Sequence, residues 1–298
     1  MKLIECVPNF SEGRRPEVIQ EIAGAIASVP GIKLLDQSSD ASHNRSVITF
    51  AGEPAAVKEA ALRATRRAAE LINMEQHRGE HPRIGATDVI PLVPISGVSM
   101  EECVALAREL GREIGEKLGI PVYLYEEAAL SPERKNLAAV RRGEYEGLKE
   151  AIKQPDRRPD FGPPRLHPTA GATAVGARPP LIAFNINLNC SDVSVARKIA
   201  RSIRGSSGGY PSIKALGVLI AETGTAQVTI NVCDYRLVSL ARVFETVKSE
   251  ASRYGVTISS SEIIGLVPME ALVDAAAFYL RLQGFHAGQV LEKRLAEL

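Results

Sequence analysis

The sequence predicts an α+β chain of two α/β sandwich subdomains with mainly antiparallel sheets. Three observations carry this reading. Short β-branched runs alternate with stretches whose apolar residues recur every three or four positions, the order strand–helix–strand–strand–helix–strand can be read twice, and a proline- and glycine-rich stretch separates the two readings. At 298 residues the chain exceeds one domain of about 100–200 residues, which suits a division into two units.

In the first half, residues 3–7 (LIECV) form a buried strand, followed by a turn with Asn9, Ser11 and Gly13. Val18, Ile22, Ala25, Ile26 and Val29 recur at helical spacing until Pro30. Residues 32–36 and 45–50 are two more strands, the second alternating Ser46, Ile48 and Phe50 against Arg45, Val47 and Thr49. Pro54 opens a helix with the small-residue stripe Val57, Ala61, Ala64, Ala68 and Leu71, suited to lying close on a sheet. A strand at 88–94 leads to a helix with a capping box of Ser99 and Glu102, ended by Gly119, and PVYLY closes this half. The second half repeats the plan: a strand at 181–188, a helix capped by Ser191, a hairpin around Gly224, a helix from Leu240 ended by Gly255, and a strand at VTISSSEII. This order predicts two ferredoxin-like subdomains, 1–178 and 179–298, with 126–178 as linker and ordered binding loop.

Composition narrows the functional classes. The 36 basic and 35 acidic residues leave a net charge of +1, so no global field favours nucleic acid or an anionic membrane, and an anionic ligand must be met by a local cluster. Cys6, Cys103, Cys190 and Cys233 are far apart, form no CxxC pair and sit mostly in apolar runs, as reduced core thiols of a cytoplasmic protein would. No apolar run reaches membrane-spanning length, and the start MKLIECVPNF is no signal peptide.

The densest polar cluster is HRGEHPRIGATD, His77 to Asp88, holding two of the five histidines. Its first five residues spell H-x-x-E-H, a zinc-peptidase pattern when helical. Gly79 and Pro82 make the helical presentation a metal needs doubtful there, so a solvated helix end with incidental charges, a metal pair, and an acid/base histidine at His81 all stand as readings. In DASHNRS, Asp40, His43, Asn44 and Arg45 mark a turn and a strand start. Asn185 and Asn187 alternate with apolar neighbours and share one strand face, lining either a cavity or an edge.

ECVPNFSEG, GEHPRIGATDVIPLVPI, PVYLYEEAA, RRGEYEGL, PDFGP, AFNINL and EIIGLVPMEAL, in this order, resemble the formiminotransferase domain of formiminotransferase-cyclodeaminase and its free-standing bacterial relatives, over residues 3 to 280. The resemblance implies two ferredoxin-like subdomains with a folate cleft between them, a homodimer, and transfer of the formimino group of N-formimino-L-glutamate to tetrahydrofolate, giving 5-formiminotetrahydrofolate and L-glutamate in histidine degradation. It places the catalytic histidine at His81 and the folate segment at Gly162, Pro163, Pro164, Arg165, Leu166, His167, Pro168, Thr169, Ala170 and Gly171. Tetrahydrofolate is then the co-substrate and no metal is required. Both substrates carry carboxylates, for which Arg45, Arg83, Arg165 and Arg178 are the candidate partners, with Asp40, Asn185 and Asn187 as further substrate contacts. The chain departs from vertebrate members at Ala170, where they carry tryptophan, and at Ser38, where they carry aspartate and where Asp40 is the nearest replacement. Its length leaves no room for a cyclodeaminase domain, so that activity is not expected. The competing readings are a zinc peptidase using His77, Glu80 and His81, and a folate enzyme acting on a formyl donor such as 5-formyltetrahydrofolate or formylglutamate.

Overall fold

A computed structural model describes residues 1–295, which divide into two compact units, Met1–Arg178 and a second that begins at Pro179. In the first, the interrupted strand β1 (Leu3–Cys6) and β2 (Asn9–Phe10) is followed by α1 (Pro16–Ala27), β3 (Lys33–Asp40), β4 (Arg45–Gly52), α2 (Pro54–Leu71), β5 (Thr87–Ser96), α3 (Met100–Leu118) and β6 (Val122–Glu126). Two short helices, α4 (Leu137–Val140) and α5 (Glu144–Ala151), then precede β7 (Thr173–Ala177). Both β1 and β2 pair antiparallel with β4 and β5, and β3 flanks β4, which gives the ferredoxin-like arrangement β3-β4-β1/β2-β5. Beyond β5 the sheet continues in parallel through β7 to β6.

Local chemistry explains the helices. Pro16 and Pro54 open α1 and α2, where a missing N–H costs nothing. For α3, the Ser99 hydroxyl accepts from Glu102 N and the Glu102 carboxylate accepts from Ser99 N at 2.8 Å, while Gly119 ends the helix in the left-handed region at φ 65°. These helices bury Ile22, Ile26, Val57, Ala61, Leu110 and Ile114 against Ile4, Phe50, Ile90, Leu92 and Val175 on one sheet face. On the other face, α4 and α5 contribute Val140 and Leu148 to a smaller core with Tyr123, Tyr125 and Ala174.

Two expectations are corrected here. Residues 126–178 are not simply a linker and loop, because Thr173–Ala177 is fully buried and hydrogen-bonded on both sides, to β5 and β6. A five-residue run of small and β-branched residues lacks alternation because both its faces are covered, which hides it from a pattern search. In the second unit the helix cap is Asp192, whose carboxylate accepts from Ser194 N at 2.8 Å, and not Ser191.

The second unit runs β8 (Ile182–Leu188), α6 (Val193–Ile203), β9 (Ile213–Ile220), β10 (Thr225–Val232), α7 (Leu240–Ser252), β11 (Ile258–Ile264), α8 (Met269–Leu280) and α9 (Leu291–Leu295). Its antiparallel order β11-β8-β10-β9 is again ferredoxin-like. Ile182, Phe184, Ile186 and Leu188 pack on Val195, Ile199, Val243 and Val247 of the covering helices. Gly224 turns the predicted hairpin at φ 63°, and Gly255 follows α7 at φ 68°. Among the described residues no disulfide joins any of the four cysteines; Cys6 and Cys103 are buried, whereas Cys190 and Cys233 are half-buried, not core thiols.

Candidate active site

The loop between α2 and β5 is not helical across His77 to His81, so the two imidazoles are not presented from one helix face as the zinc pattern requires. His77 is buried. Its Nε2 lies 2.9 Å from the Asn44 carbonyl, which can only accept, so Nε2 carries the proton. Its Nδ1 accepts from Arg83 Nε at 3.2 Å. Both ring nitrogens are therefore engaged, and burial, with the charge of Arg83, holds the ring's pKa below the usual histidine value.

Arg83 was expected to fork onto a substrate carboxylate. It is 5% exposed, with Nη1 donating to Glu144 and Glu146 at 2.8 Å each and Nη2 donating to Glu146 at 2.6 Å. Its backbone carbonyl also accepts from Tyr145 N at 2.8 Å. The fork is filled from within the chain, and it fastens EHPR to the first turn of α5, where acidic residues also favour the helix end.

His81 is half-buried and makes no hydrogen bond among the described residues. Loss of solvation pushes its pKa down to about 2, reinforced by the charges of Arg45 and Arg141 and, more weakly, by His43 and His77. The free ring is neutral across the physiological range, as a proton acceptor must be.

Arg141 is a member of this cluster that sequence reasoning missed. It pairs with the buried Asp88, whose other oxygen accepts from Ile84 N at 2.9 Å, so one carboxylate ties Arg141 to the loop three residues beyond His81. Its only sequence signal was its place in RRGEYEGL. Arg45 opens β4, and among the described residues its side chain makes one hydrogen bond, to the Asn9 amide oxygen at 3.5 Å. Asp40, opposite Arg45 in the β3–β4 register, accepts from His43 N at 2.8 Å and lies 3.0 Å from His43 Nδ1; the backbone hydrogen bond is the main cause of its lowered pKa. Ser38 faces Val47 further along the same exposed strand.

The segment Gly162–Gly171 begins where Gly162 (φ 81°) abuts Gly115 of α3; a Cβ on Gly115 would lie 2.6 Å from Gly162 N. It ends in a tight turn, His167 N to Gly171 O at 3.0 Å and back at 3.2 Å, with His167 Nδ1 accepting from Ala170 N at 3.1 Å. That turn is zipped to the His81 loop: Ala86 N donates to Ala170 O and Ala172 N to Ile84 O, both at 2.9 Å, flanking the Gly85–Gly171 bridge. Pro164, Arg165 and Pro168 are exposed, Pro163, Leu166, His167 and Thr169 half-buried. Ala170 is 2% exposed and packs into the main core, so its side chain is not presented to a ligand.

The remaining predicted residues belong to other elements. Arg178 follows β7, with its charge against Glu5 and Tyr125; burial raises the pKa of both, and Arg178 opposes the rise. Asn185 and Asn187 share the sheet face of the second unit opposite its apolar core, as predicted, in a polar network: Asn185 donates to Glu262 at 3.1 Å and accepts from Thr229 at 2.8 Å, and Asn187 accepts from Gln227 at 2.9 Å.

Residues 3–178 match the formiminotransferase domain, N-terminal subdomain, and residues 183–295 match the formiminotransferase domain. The chain belongs to the formiminotransferase family. It is 50% identical over 295 residues to a glutamate formimidoyltransferase of Streptococcus pyogenes serotype M1, covering 99% of each chain. It is also 50% identical over 297 residues to one of Thermoplasma acidophilum, covering 99% of this chain and 98% of that one. The formimidoyltransferase-cyclodeaminase of Mus musculus shares 48% over 284 residues, 93% of this chain but 52% of the mouse protein. In this formiminotransferase, therefore, similarity extends over both units and not only over the EHPR loop.

Proposed function

We propose that this protein is a glutamate formimidoyltransferase, moving the formimino group of N-formimino-L-glutamate to tetrahydrofolate with His81 as the acid/base residue. The observation that carries the reading is a half-buried, unbonded, neutral imidazole in a loop hydrogen-bonded to the proposed folate segment, Gly162–Gly171, in a chain whose full-length relatives bear that name. The attacking ring nitrogen of tetrahydrofolate forms a bond to the amidine carbon and gives its proton to His81. The resulting tetrahedral centre breaks its bond to the glutamate nitrogen, and His81 returns the proton there, releasing L-glutamate and 5-formiminotetrahydrofolate. Every proton lost by one nitrogen is gained by the other, so the transfer needs no oxidant or reductant.

His81→Ala is expected to lower turnover ~10²–10⁴-fold while tetrahydrofolate still binds, because acid/base groups act mainly in the transition state. His77→Ala should cost turnover far less. Near-normal turnover in His81→Ala would sink the assignment. Parallel assays with formiminoglutamate, formylglutamate and 5-formyltetrahydrofolate decide the donor.

The same reading includes a homodimer in the cytosol. Phe278, Tyr279, Leu280, Leu282, Leu291 and Leu295 are all exposed in the second unit, which supports a partner surface. Of the apolar tail positions Val290, Leu291, Leu295 and Leu298, the last lies outside the described residues. Cysteines held without disulfides support a reducing compartment, and among the described residues no helix is long and apolar enough to cross a membrane.

A further inference from the structure

We propose that Arg45 and Arg141 together form the subsite for the α-carboxylate of the formimino donor, an inference that rests on the formimino-transfer reading of His81. The first support is charge. Arg141 has one carboxylate partner, Asp88, and its buried Nε has no hydrogen-bond partner. Among the described residues, the Arg45 side chain makes one hydrogen bond, to the neutral Asn9 amide. Burial and the like charge of Arg141 both disfavour the Arg45 cation, and Asp40 and Asp88 offset this only in part. Two guanidinium groups whose charges repel each other in a partly buried site, with a buried donor left over, are arranged to receive an anion.

The second support is position. Arg45 and Arg141 are the two charges that act most strongly on the His81 ring. Asp88 bonds both Arg141 and Ile84 N, and Asn44, next to Arg45, bonds His77 Nε2, so the two cations are fastened to opposite ends of the His77–Ile84 loop. The nitrogen that His81 must protonate is attached to the α-carbon of glutamate, and the α-carboxylate is on that same carbon. It is the carboxylate that cannot avoid the neighbourhood of His81. The acceptor's carboxylates are separated from its attacking nitrogen by a methylene, an aromatic ring and an amide, which takes them away from this point. A carboxylate between the arginines would also neutralise the charges that oppose His81 protonation, so donor binding would raise the proton affinity of the ring when it must act as base and then acid.

The test compares N-formimino-L-glutamate with N-formimino-4-aminobutyrate, the same donor without its α-carboxylate. Arg141→Gln should lower kcat/KM for the first ~10–10²-fold, as expected for a charged hydrogen-bonded pair. It should leave kcat/KM for the second, already low with the unsubstituted enzyme, unchanged within about twofold. Equal losses with both donors, or no loss with the first, would overturn the proposal, because a role confined to holding Asp88 cannot distinguish them. Should Arg141→Gln fail to fold, Arg45→Gln, which gives up only the long Asn9 contact, carries the same comparison. An independent readout is product binding at neutral pH: L-glutamate should bind the unsubstituted enzyme more tightly than 4-aminobutyrate, and Arg141→Gln should narrow that difference to about twofold; equal binding of the two by the unsubstituted enzyme would count against the subsite. If the unsubstituted enzyme makes no 5-formiminotetrahydrofolate from formiminoglutamate, the parent reading falls instead, whereas normal turnover with donor-independent variants rejects only the subsite.

Discussion

Alanine at Gly85 should be among the most damaging one-methyl changes in the protein, and alanine at Gly24 should be helpful. A Cβ on Gly85 would lie 1.9 Å from Ala172 O and 2.5 Å from Ala170 O. Both are backbone atoms, so no rotamer change relieves the clash, and the bridge to Gly171 must open. Overpacking of this kind costs about 1–3 kcal/mol. Opening also sacrifices the Ala86–Ala170 and Ala172–Ile84 hydrogen bonds, about 0.5–1.5 kcal/mol each. The combined loss, about 2–6 kcal/mol, is a large share of a stability of about 5–15 kcal/mol. With a urea dependence of about 2 kcal/mol per molar, the unfolding midpoint should fall by roughly 1–3 M. Tetrahydrofolate affinity and turnover should fall with it, since the bridge joins the His81 loop to the proposed folate segment. Gly24, by contrast, is exposed within α1 and a Cβ there meets nothing within 4 Å. Gly24→Ala should therefore stabilise the protein by about 0.5–1 kcal/mol, chiefly by lowering helix and unfolded-chain entropy costs. Urea unfolding followed by circular dichroism, with tetrahydrofolate titrations on the folded variants, tests both. An unchanged midpoint in Gly85→Ala would refute the zipped geometry of the loop.

Stability of the ligand-free protein should decline on acidification. His77 and His81 both have folded-state pKa values below the ordinary 6.5, His81 at about 2, so both are neutral in either state above that pH; below it the unfolded chain takes up protons that the folded loop refuses. Urea midpoints measured from pH 8 to pH 5 should fall most steeply below about 6.5, and a flat profile would contradict the burial of these rings. Hydrogen exchange in Gly162–Gly171 should slow on addition of tetrahydrofolate; protection confined to other segments would remove the folate assignment there. Light scattering at micromolar concentration should give the mass of a dimer, and a monomer mass would remove the proposed partner surface.

Much of this protein could be read from residue order alone. Apolar periodicity, Pro16 and Pro54 at helix starts, the Ser99–Glu102 box and the Gly224 turn are local features, so they located most helices, the second unit's hairpin and the repeated ferredoxin-like plan. The ordered series of motifs, from ECVPNFSEG to EIIGLVPMEAL, was likewise sufficient to place the chain in its family. Tertiary structure decided what depends on distant partners. Thr173–Ala177 becomes a strand only because β5 and β6 supply neighbours on both edges. Arg83 is occupied because Glu144 and Glu146, some sixty positions later, fill its fork, and Ala170 is a core residue because its turn is drawn against Ile84–Ala86. Arg141 enters the His81 cluster through Asp88, 53 positions away. Chain pattern records how each residue serves its own helix or strand, whereas the pairing of charges, and with it the cations left near His81, is settled only when remote segments are folded together.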